Sequence, residues 1–337
     1  MQLDTEISKR ISIIKYVMII GIVITHIPPF LHIHDFGFTT IETIKVFFAH
    51  GVFKVAVPVL ATISGFLLFS SKLHLNYSKL VYKKSRSILL PLIIWNLPFA
   101  LIIYFFQVYD LSIYQYWIEL HPATIDKWLL AVIGWTGLPI NYPLHFLRDL
   151  FVVALMTPLF WLLLKRIPYI GLLVVLAVYY FDLEGGLVMR NNMLVTFYIG
   201  ALAATQKWDL KYLDRHYLLL FLIFICACLV ITTYRIDNRE LFVILSPFMV
   251  WPFFSQITNT KIGDVLHRYS KSSFFLFLSH APILFILHKV YVNLPVDIPY
   301  FVFWCIAPVI TILIANPMVK KTREWLPNTS RIALGGR

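Results

Sequence analysis

Two ionisable residues, Lys15 and His26, lie in the first long apolar stretch of the chain, residues 11–30. At 100° per residue, the eleven steps between them return to within about 20° of the same helix face. An ionisable side chain inside a membrane-spanning helix faces a bundle interior or an aqueous cavity by default, and histidine is the side chain that exchanges protons near neutral pH. The spacing predicts a lined passage. Snorkelling of Lys15 and simple capping of the outer helix end by His26 stay open as the alternative.

The elements that position this pair follow from the composition, which excludes a soluble globular protein. Hydrophobic residues make up 59% of the 337 residues and charged residues 14%, well below the share in soluble domains. Apolar runs that are long enough to cross a bilayer, or nearly so, lie at 11–30, 52–70, 88–106, 146–164, 168–181, 193–205, 217–234, 240–257, 273–291 and 300–317. We therefore predict an all-α, polytopic membrane bundle of about ten transmembrane helices, with the fifth and sixth short.

The distribution of charge predicts the topology of that bundle. With the N-terminus in the cytoplasm, about 20 of the 29 Lys and Arg residues fall on the inner side. This bias predicts that both termini are cytoplasmic. It also explains the net charge of +12 through topology and anionic lipids, without a nucleic-acid partner. We expect one integral-membrane domain over residues 1–319 and a short basic tail over residues 320–337.

Two smaller signals concern cysteines and a basic connection. Cys226, Cys228 and Cys305 all fall in predicted spans without metal-ligand spacing, so we expect buried thiols and no metal site. The inner connection at residues 70–86 is the most basic in the chain and includes Arg86. It is either a positive-inside anchor or a docking surface for a polyanionic cytosolic ligand.

Five segments, in order along the chain, carry a family resemblance. They are residues 10–15 with His26, 54–68, 86–95, 144–158 and 274–282. Together they resemble the acyltransferase-3 family, membrane proteins that O-acylate cell-surface glycans, over almost the whole chain. In the first segment, Lys15 replaces the Arg of the family and Ser12 replaces its Asp. Lysine keeps the positive charge but lacks the planar five-donor fork of arginine.

The resemblance implies transfer of an acyl group from cytosolic acyl-CoA, most simply acetyl-CoA, to a hydroxyl of a polysaccharide or lipid-linked glycan. No bound cofactor is implied. His26 would be the general base near the outer helix end, and Lys15 would line the passage for the donor. Further substrate-binding or donor-binding candidates are Arg148, Lys54, His145, Ser64, His280 and Arg86.

Three of those candidates have an equally simple structural role. Arg148 is placed to form an ion pair with the adjacent Asp149, and Ser64 suits close helix packing. His280 precedes Pro282 in a predicted span, where a histidine that satisfies a helix kink is an alternative to a site residue. The residue pattern alone leaves these alternatives open.

The sequence and the resemblance together indicate a multi-pass O-acetyltransferase of the bacterial plasma membrane that acts in exopolysaccharide biosynthesis. Its expected partners are acyl-CoA, the glycan acceptor, membrane lipids and other glycan-assembly proteins. The alternatives are a polysaccharide exporter and a non-catalytic subunit of a glycan-assembly complex. An exporter is expected to show paired, Gly/Pro-broken helices in two halves, and the sequence shows no such symmetry.

Overall fold

The computed structural model describes residues 4–111 and 118–336, and the regular secondary structure of these residues is entirely helical. The helices are α1 (Thr5–Thr25), α2 (Thr40–Val46), α3 (Ala56–Ser70), α4 (Tyr77–Lys84), α5 (Leu90–Val108), α6 (Ile125–Ile133), α7 (His145–Leu155), α8 (Thr157–Arg166), α9 (Pro168–Tyr180), α10 (Asn192–Thr205), α11 (Tyr217–Tyr234), α12 (Glu240–Phe253), α13 (Ser255–Thr258), α14 (Lys261–Tyr269), α15 (Ser273–Val292), α16 (Tyr300–Trp325) and α17 (Pro327–Ala333). The prediction of an all-α protein is confirmed for this part of the chain.

Six helical segments among the described residues are long and apolar enough to cross a membrane. They are Thr40–Ser70, Tyr77–Val108, Tyr212–Tyr234, Glu240–Thr258, Lys261–Val292 and Tyr300–Trp325. The pair formed by α7 and α8, bent by 52°, makes a seventh if it is one span, and α9 and α10 are shorter apolar helices. The predicted count of about ten is therefore not confirmed, and the cytoplasmic location of the termini stays a prediction.

The first helix is shorter at its C-terminal end than the sequence predicted. α1 ends at Thr25, and His26 is its C-cap, with the backbone N–H of His26 bonded to the Val23 carbonyl. Pro28 and Pro29 follow, and a proline disfavours helical geometry at the preceding residue and removes a backbone donor. His26 therefore lies at the helix end, where its ring is less constrained by the next turn. α1 is also the helix that carries Lys15, in addition to charged residues near its start.

The closest helix packing in the core is between α3 and α10. A Cβ atom at Gly65 would run into the Phe197 carbonyl oxygen, and one at Gly200 would run into the Thr62 carbonyl oxygen. Small residues at such crossings let two backbones approach within an apolar bundle. Ser64 lies in this region and donates to the Leu60 carbonyl at 2.8 Å, one turn back along its own helix. The seam aligns α3 and α10, and both helices contribute to the two cavities described below.

Candidate active site

A large polar cavity, with a volume of about 1160 Å³, lies at the C-terminal end of α1. It is enclosed by that end of α1, the turn before α3, the segment that leads into α7 and the start of α12. Its charged and histidine lining residues are His26, His32, Lys45, His50, Lys54, His145, Arg190, Asp237 and Arg239. Three residues that the sequence singled out, His26, Lys54 and His145, are thus brought together from three parts of the chain.

His26 is paired with a second histidine behind the cavity wall. His280 Nδ1 lies 2.7 Å from the Phe277 carbonyl oxygen, and because a carbonyl only accepts, Nδ1 carries the proton. In a neutral His280, Nε2 is then the acceptor for His26 Nδ1, 3.3 Å away. This network assigns the tautomer of His26 and leaves its Nε2 with a free lone pair. His280 is fully buried, whereas His26 lines the cavity, so the basic nitrogen belongs to the ring that a ligand can reach.

The position of His280 depends on how the proline in α15 is accommodated. Pro282 has no N–H, so the Leu278 carbonyl loses its helical hydrogen-bond donor. Asn141 Nδ2 replaces that donor at 3.0 Å. This bond ties α15 to the segment before α7, and Tyr142 in that segment packs edge-on against His26, with ring centroids 5.1 Å apart. The proline therefore helps to assemble the site through a side chain that is distant in sequence.

His145 forms a second polar pair, with Arg190. His145 Nδ1 lies 2.7 Å from the Tyr142 carbonyl oxygen, and Arg190 Nε donates to His145 Nε2 at 3.5 Å. The fully buried carboxylate of Asp149 accepts hydrogen bonds from the backbone N–H groups of Met189 and Arg190, at 3.2 and 2.9 Å. His145 and Asp149 thus lie one turn apart on α7. His145 contacts the side chain of Arg190, and Asp149 holds the backbone of the same arginine.

Arg148 occupies a structural position. Its Nη1 lies 2.9 Å from Asp149 Oδ1, and the same nitrogen donates to the Leu187 carbonyl. Arg148 is not among the residues that line the polar cavity. Of the two alternatives left open by the sequence, the geometry shows the ion pair, and this pair partly neutralises the buried carboxylate that holds the loop before α10.

Lys54 also lines the polar cavity, just before α3. The charged groups that act on it through space are Arg190, Arg239 and Asp237. Arg239 donates from Nη1 to the His50 carbonyl oxygen at 3.0 Å, and from Nη2 to Asp237 Oδ1 at 3.2 Å. Cations from three separate segments therefore converge on one cavity that also contains the pair of histidines.

A second, apolar cavity of about 510 Å³ lies towards the N-terminal half of α1. It is lined by α1, α3, α10, α12 and the segment at residues 208–213. Ile11 and Ile14 line this cavity, while Ile22 and Thr25, each eleven residues further along α1, line the polar one. The eleven-residue spacing thus corresponds to one helix face that passes from the first cavity to the second.

Charged contacts secure the end of the molecule beside the apolar cavity. Arg10 is fully buried, makes two hydrogen bonds of 2.8 Å to the Asp214 carboxylate and lies 5.1 Å from the ring centroid of Trp251. Lys211 lies 2.9 Å from Asp4, and its hydrogen bond holds the pKa of Asp4 below the ordinary value. These contacts link the start of α1 to the segment that lines the apolar cavity.

Besides Arg148 and His280, three further predicted site residues lie outside the lining of both cavities. Lys15 is partly buried on α1, and Ser64 bonds within its own helix, as described above. Arg86 is exposed and donates to the Tyr82 hydroxyl at 2.9 Å. Their proposed roles with the donor stay predictions.

His50, Arg190 and Arg239 line the polar cavity but were not identified as site residues from sequence. A partial signal existed for the two arginines, because the predicted topology places both away from the inner side, where most of the Lys and Arg residues are predicted to lie. Their convergence depends on contacts such as Asp149 to the backbone of Arg190. Such contacts between distant segments leave no local pattern in the sequence.

The described residues contain no group of three or more His, Cys, Asp or Glu side chains that is placed to hold a metal ion. The cysteines are unpaired, and Cys228 is buried, whereas Cys226 and Cys305 are exposed on the surface of the helical bundle. The expectation that all three are buried is therefore wrong for two of them. In an apolar span an exposed cysteine faces the surroundings of the bundle, which local sequence cannot distinguish from its interior.

Comparison with known proteins identifies the chain at the family level. The acyltransferase-3 family model, described as an acyltransferase domain, matches residues 8–318. The chain is also 29% identical over 353 aligned residues to the succinoglycan biosynthesis protein ExoH of Rhizobium meliloti (strain 1021), covering 99% of this chain and 94% of that protein. No solved structure matches the chain. The family match extends over every helix that lines the two cavities.

Proposed function

Because the chain belongs to the acyltransferase-3 family, we propose that it is a membrane acyltransferase that modifies a polysaccharide. The similarity to a succinoglycan biosynthesis protein supports an exopolysaccharide, or its lipid-linked precursor, as the acceptor. We further propose that the donor is a cytosolic acyl-CoA, most simply acetyl-CoA. The location is then the bacterial plasma membrane, with the polar cavity on the outer side as the positive-inside pattern predicts.

The observation that carries this proposal is the pair formed by His26 and His280. The hydrogen bond from His26 Nδ1 to His280 Nε2 leaves His26 Nε2 as an acceptor in a cavity large enough for sugar residues. A general base needs this arrangement, with one ring nitrogen held and the other free to take a proton. His280 does not line the cavity, so it acts as a positioning residue for His26.

Apart from its two substrates, the proposed reaction needs only side chains that lie at the polar cavity. His26 Nε2 takes the proton of a sugar hydroxyl as the hydroxyl oxygen bonds to the thioester carbonyl carbon. The carbon–sulfur bond then breaks, and the proton passes from His26 to the leaving thiolate, which gives an ester and free CoA. Arg190, held beside His145, is the candidate to stabilise the negative charge that develops on the carbonyl oxygen.

The two cavities support an arrangement in which donor and acceptor arrive from opposite sides. The apolar cavity, about 510 Å³, suits the uncharged pantetheine arm, while the polar cavity suits a glycan. Both border the same face of α1, so the thioester would be delivered towards His26 along that helix. The exposed basic connection with Arg86 would bind the nucleotide phosphates on the inner side.

The test compares surface polysaccharide from wild-type, deletion, His26→Ala and His34→Ala strains. His34 is an exposed histidine in the same connection and does not line the cavity, so it is the matched control. Total sugar and ester-linked acyl groups are quantified by NMR. We expect the His26→Ala strain to export normal amounts of glycan with esters reduced at least about 100-fold, since general-base catalysis contributes about that much or more.

The outcomes separate the proposed function from its alternatives. Loss of surface glycan itself in the deletion strain would indicate an exporter or an assembly subunit. Esters that persist in the His26→Ala strain would overturn the assigned role of His26. The His34→Ala strain should match the wild type, and protein levels in the membrane fraction should be equal in all variants.

A further inference from the structure

The charges that line the polar cavity do not balance. Lys45, Lys54, Arg190 and Arg239 all line it, and Asp237 is the carboxylate among the lining residues. Asp237 is 3.2 Å from Arg239, and its side chain is 66% exposed, so it offsets at most one of the four cations. The described wall of the cavity therefore carries an excess of positive charge.

Two of these cations have partners that do not neutralise them. Arg190 donates from Nε to His145, a neutral acceptor in the network described above. Lys45 lies over the Tyr300 ring, with its ammonium 3.9 Å from the ring centroid. An aromatic face attracts a cation but brings no negative charge. Arg190 therefore contributes its charge to the cavity, while the carboxylate of Glu42 acts on Lys45 through space and offsets part of its charge.

Lys54 is the cavity cation with the least compensation by negative charge. Within the described part of the chain, it forms no ion pair, and two of the three charged groups that act on it are arginines. A partly buried ammonium in a membrane protein is costly unless a partner or an aqueous ligand compensates it. A neutral sugar supplies hydroxyl dipoles only, whereas a carboxylate or phosphate supplies charge-assisted hydrogen bonds.

We propose that the polar cavity binds a carboxylate at Lys54, within reach of the charges of Arg190 and Arg239. This inference rests on the proposed function and names the substrate class of the same site. The carboxylate belongs either to the acceptor glycan, as an acidic sugar, or to the acyl group, as a second carboxyl group. In both cases Lys54 selects a ligand by charge while His26 performs the chemistry.

The test measures equilibrium binding to the full-length protein in lipid nanodiscs by calorimetry at low ionic strength. One pair of probes is a neutral glucose tetrasaccharide and the same tetrasaccharide with one glucuronate residue. A second pair is malonyl-CoA and butyryl-CoA, which are similar in size but differ in a terminal carboxylate. We expect the wild type to prefer the carboxylated member of one pair at least about tenfold, as one charge-assisted hydrogen bond allows.

The variants are Lys54→Gln, Lys54→Arg and Lys127→Gln. Lys54→Gln should remove the preference, while Lys54→Arg keeps the charge and should retain it. Lys127 bonds to the Pro122 carbonyl and is not among the cavity-lining residues, so Lys127→Gln is the control for loss of a lysine elsewhere. Gel filtration establishes that each variant is folded before titration.

Each outcome decides the proposal. A Lys54-dependent preference in the glycan pair assigns the anion to the acceptor, and one in the CoA pair assigns it to the acyl group. No preference in either pair, or a preference that survives Lys54→Gln, overturns the proposal. Equal, Lys54-dependent binding of both CoA esters also overturns it, because the cations would then hold the CoA phosphates. His26→Ala should leave the preference intact, which separates failure here from failure of the proposed chemistry.

Discussion

The polar and apolar cavities are built on the same helices but have opposite chemistry. α1, α3, α10 and α12 all contribute to the apolar cavity. The polar cavity is lined by the C-terminal end of α1, by α3 with the turn before it, and by the first residues of α10 and α12, together with α7 and α15. Along α3 and the turn before it, the lining changes from Phe66, Ile63 and Val59 in the apolar cavity to Pro58 and Lys54 in the polar one.

The difference shows what each kind of cavity requires of a helical membrane bundle. The apolar cavity needs only side chains that each helix carries locally, because apolar residues in an apolar bundle require no partner. The polar cavity needs partners for its buried polar groups, and several of these come from distant segments. The hydrogen bonds from Asn141 to Leu278 and from Arg190 to Asp149 are two such contacts. A polar site is therefore the more demanding of the two to build.

The largest expected effect is a loss of stability when Gly200 is replaced, because the contact of α3 with α10 supports both cavities. In Gly200→Ala the new Cβ meets the Thr62 carbonyl oxygen, a backbone atom that cannot rotate away. We expect a loss of about 3 kcal/mol in the free energy of unfolding, since overpacking a tight contact costs about that much. The measurement is the temperature at which the purified protein loses its gel-filtration peak, together with acyl transfer.

The control for this substitution is Gly37→Ala. There the nearest atom to a new Cβ is the carboxylate of Glu42, the end of a flexible side chain that can move. An unfolding temperature of Gly200→Ala equal to that of Gly37→Ala would contradict the close approach of α3 and α10.

An intermediate effect is expected when only the apolar cavity is filled. Ala203 is buried and lines that cavity, so Ala203→Trp should block it while leaving the polar cavity unchanged. We expect acyl transfer from acetyl-CoA to fall about 100-fold, as misplacing a reactant by about 1 Å does. The measurement is radiolabelled acetyl transfer to ester-free polysaccharide by the protein in nanodiscs.

Cys226→Trp is the matched control because Cys226 is exposed on α11 and lines neither cavity. It should transfer acetyl at the wild-type rate. If Ala203→Trp also keeps the wild-type rate, the apolar cavity is not the donor path. The proposal that donor and glycan bind in separate cavities would then be wrong.

The smallest effect is expected at His280, which acts on the polar cavity through His26. His280→Ala removes the acceptor for His26 Nδ1, and the loss of one hydrogen bond of about 1.4 kcal/mol lowers kcat about tenfold. KM should change little, because His280 does not line the cavity. His280→Gln retains an amide acceptor and should recover part of kcat. A KM change with constant kcat would indicate a structural role only.

Much of the fold was predictable from sequence. Each of the ten apolar runs overlaps a helix or the bent pair α7 and α8, because long apolar runs in this composition have few other stable structures. The number of spans was not predictable, since runs such as 168–181 and 193–205 gave the short helices α9 and α10. Length and hydropathy mark an apolar helix, but whether it crosses depends on its neighbours.

The candidate site was predicted in part. His26, Lys54 and His145 do line one cavity, and His280 contacts His26 from behind its wall. Arg148 forms an ion pair with Asp149, for which the adjacent residues already offered the simpler explanation.

The sequence by itself determined the helical class, the family and the chemistry available on each segment. These properties depend on local composition and on motifs whose order along the chain is visible. Only the tertiary structure decided which side chains share a cavity, and which of the cations lack a compensating carboxylate. The physical reason is that burial and electrostatic balance are sums over all neighbours in space, most of which are far apart in sequence. Arg190 shows this, because a carboxylate forty-one positions away holds its backbone beside His145.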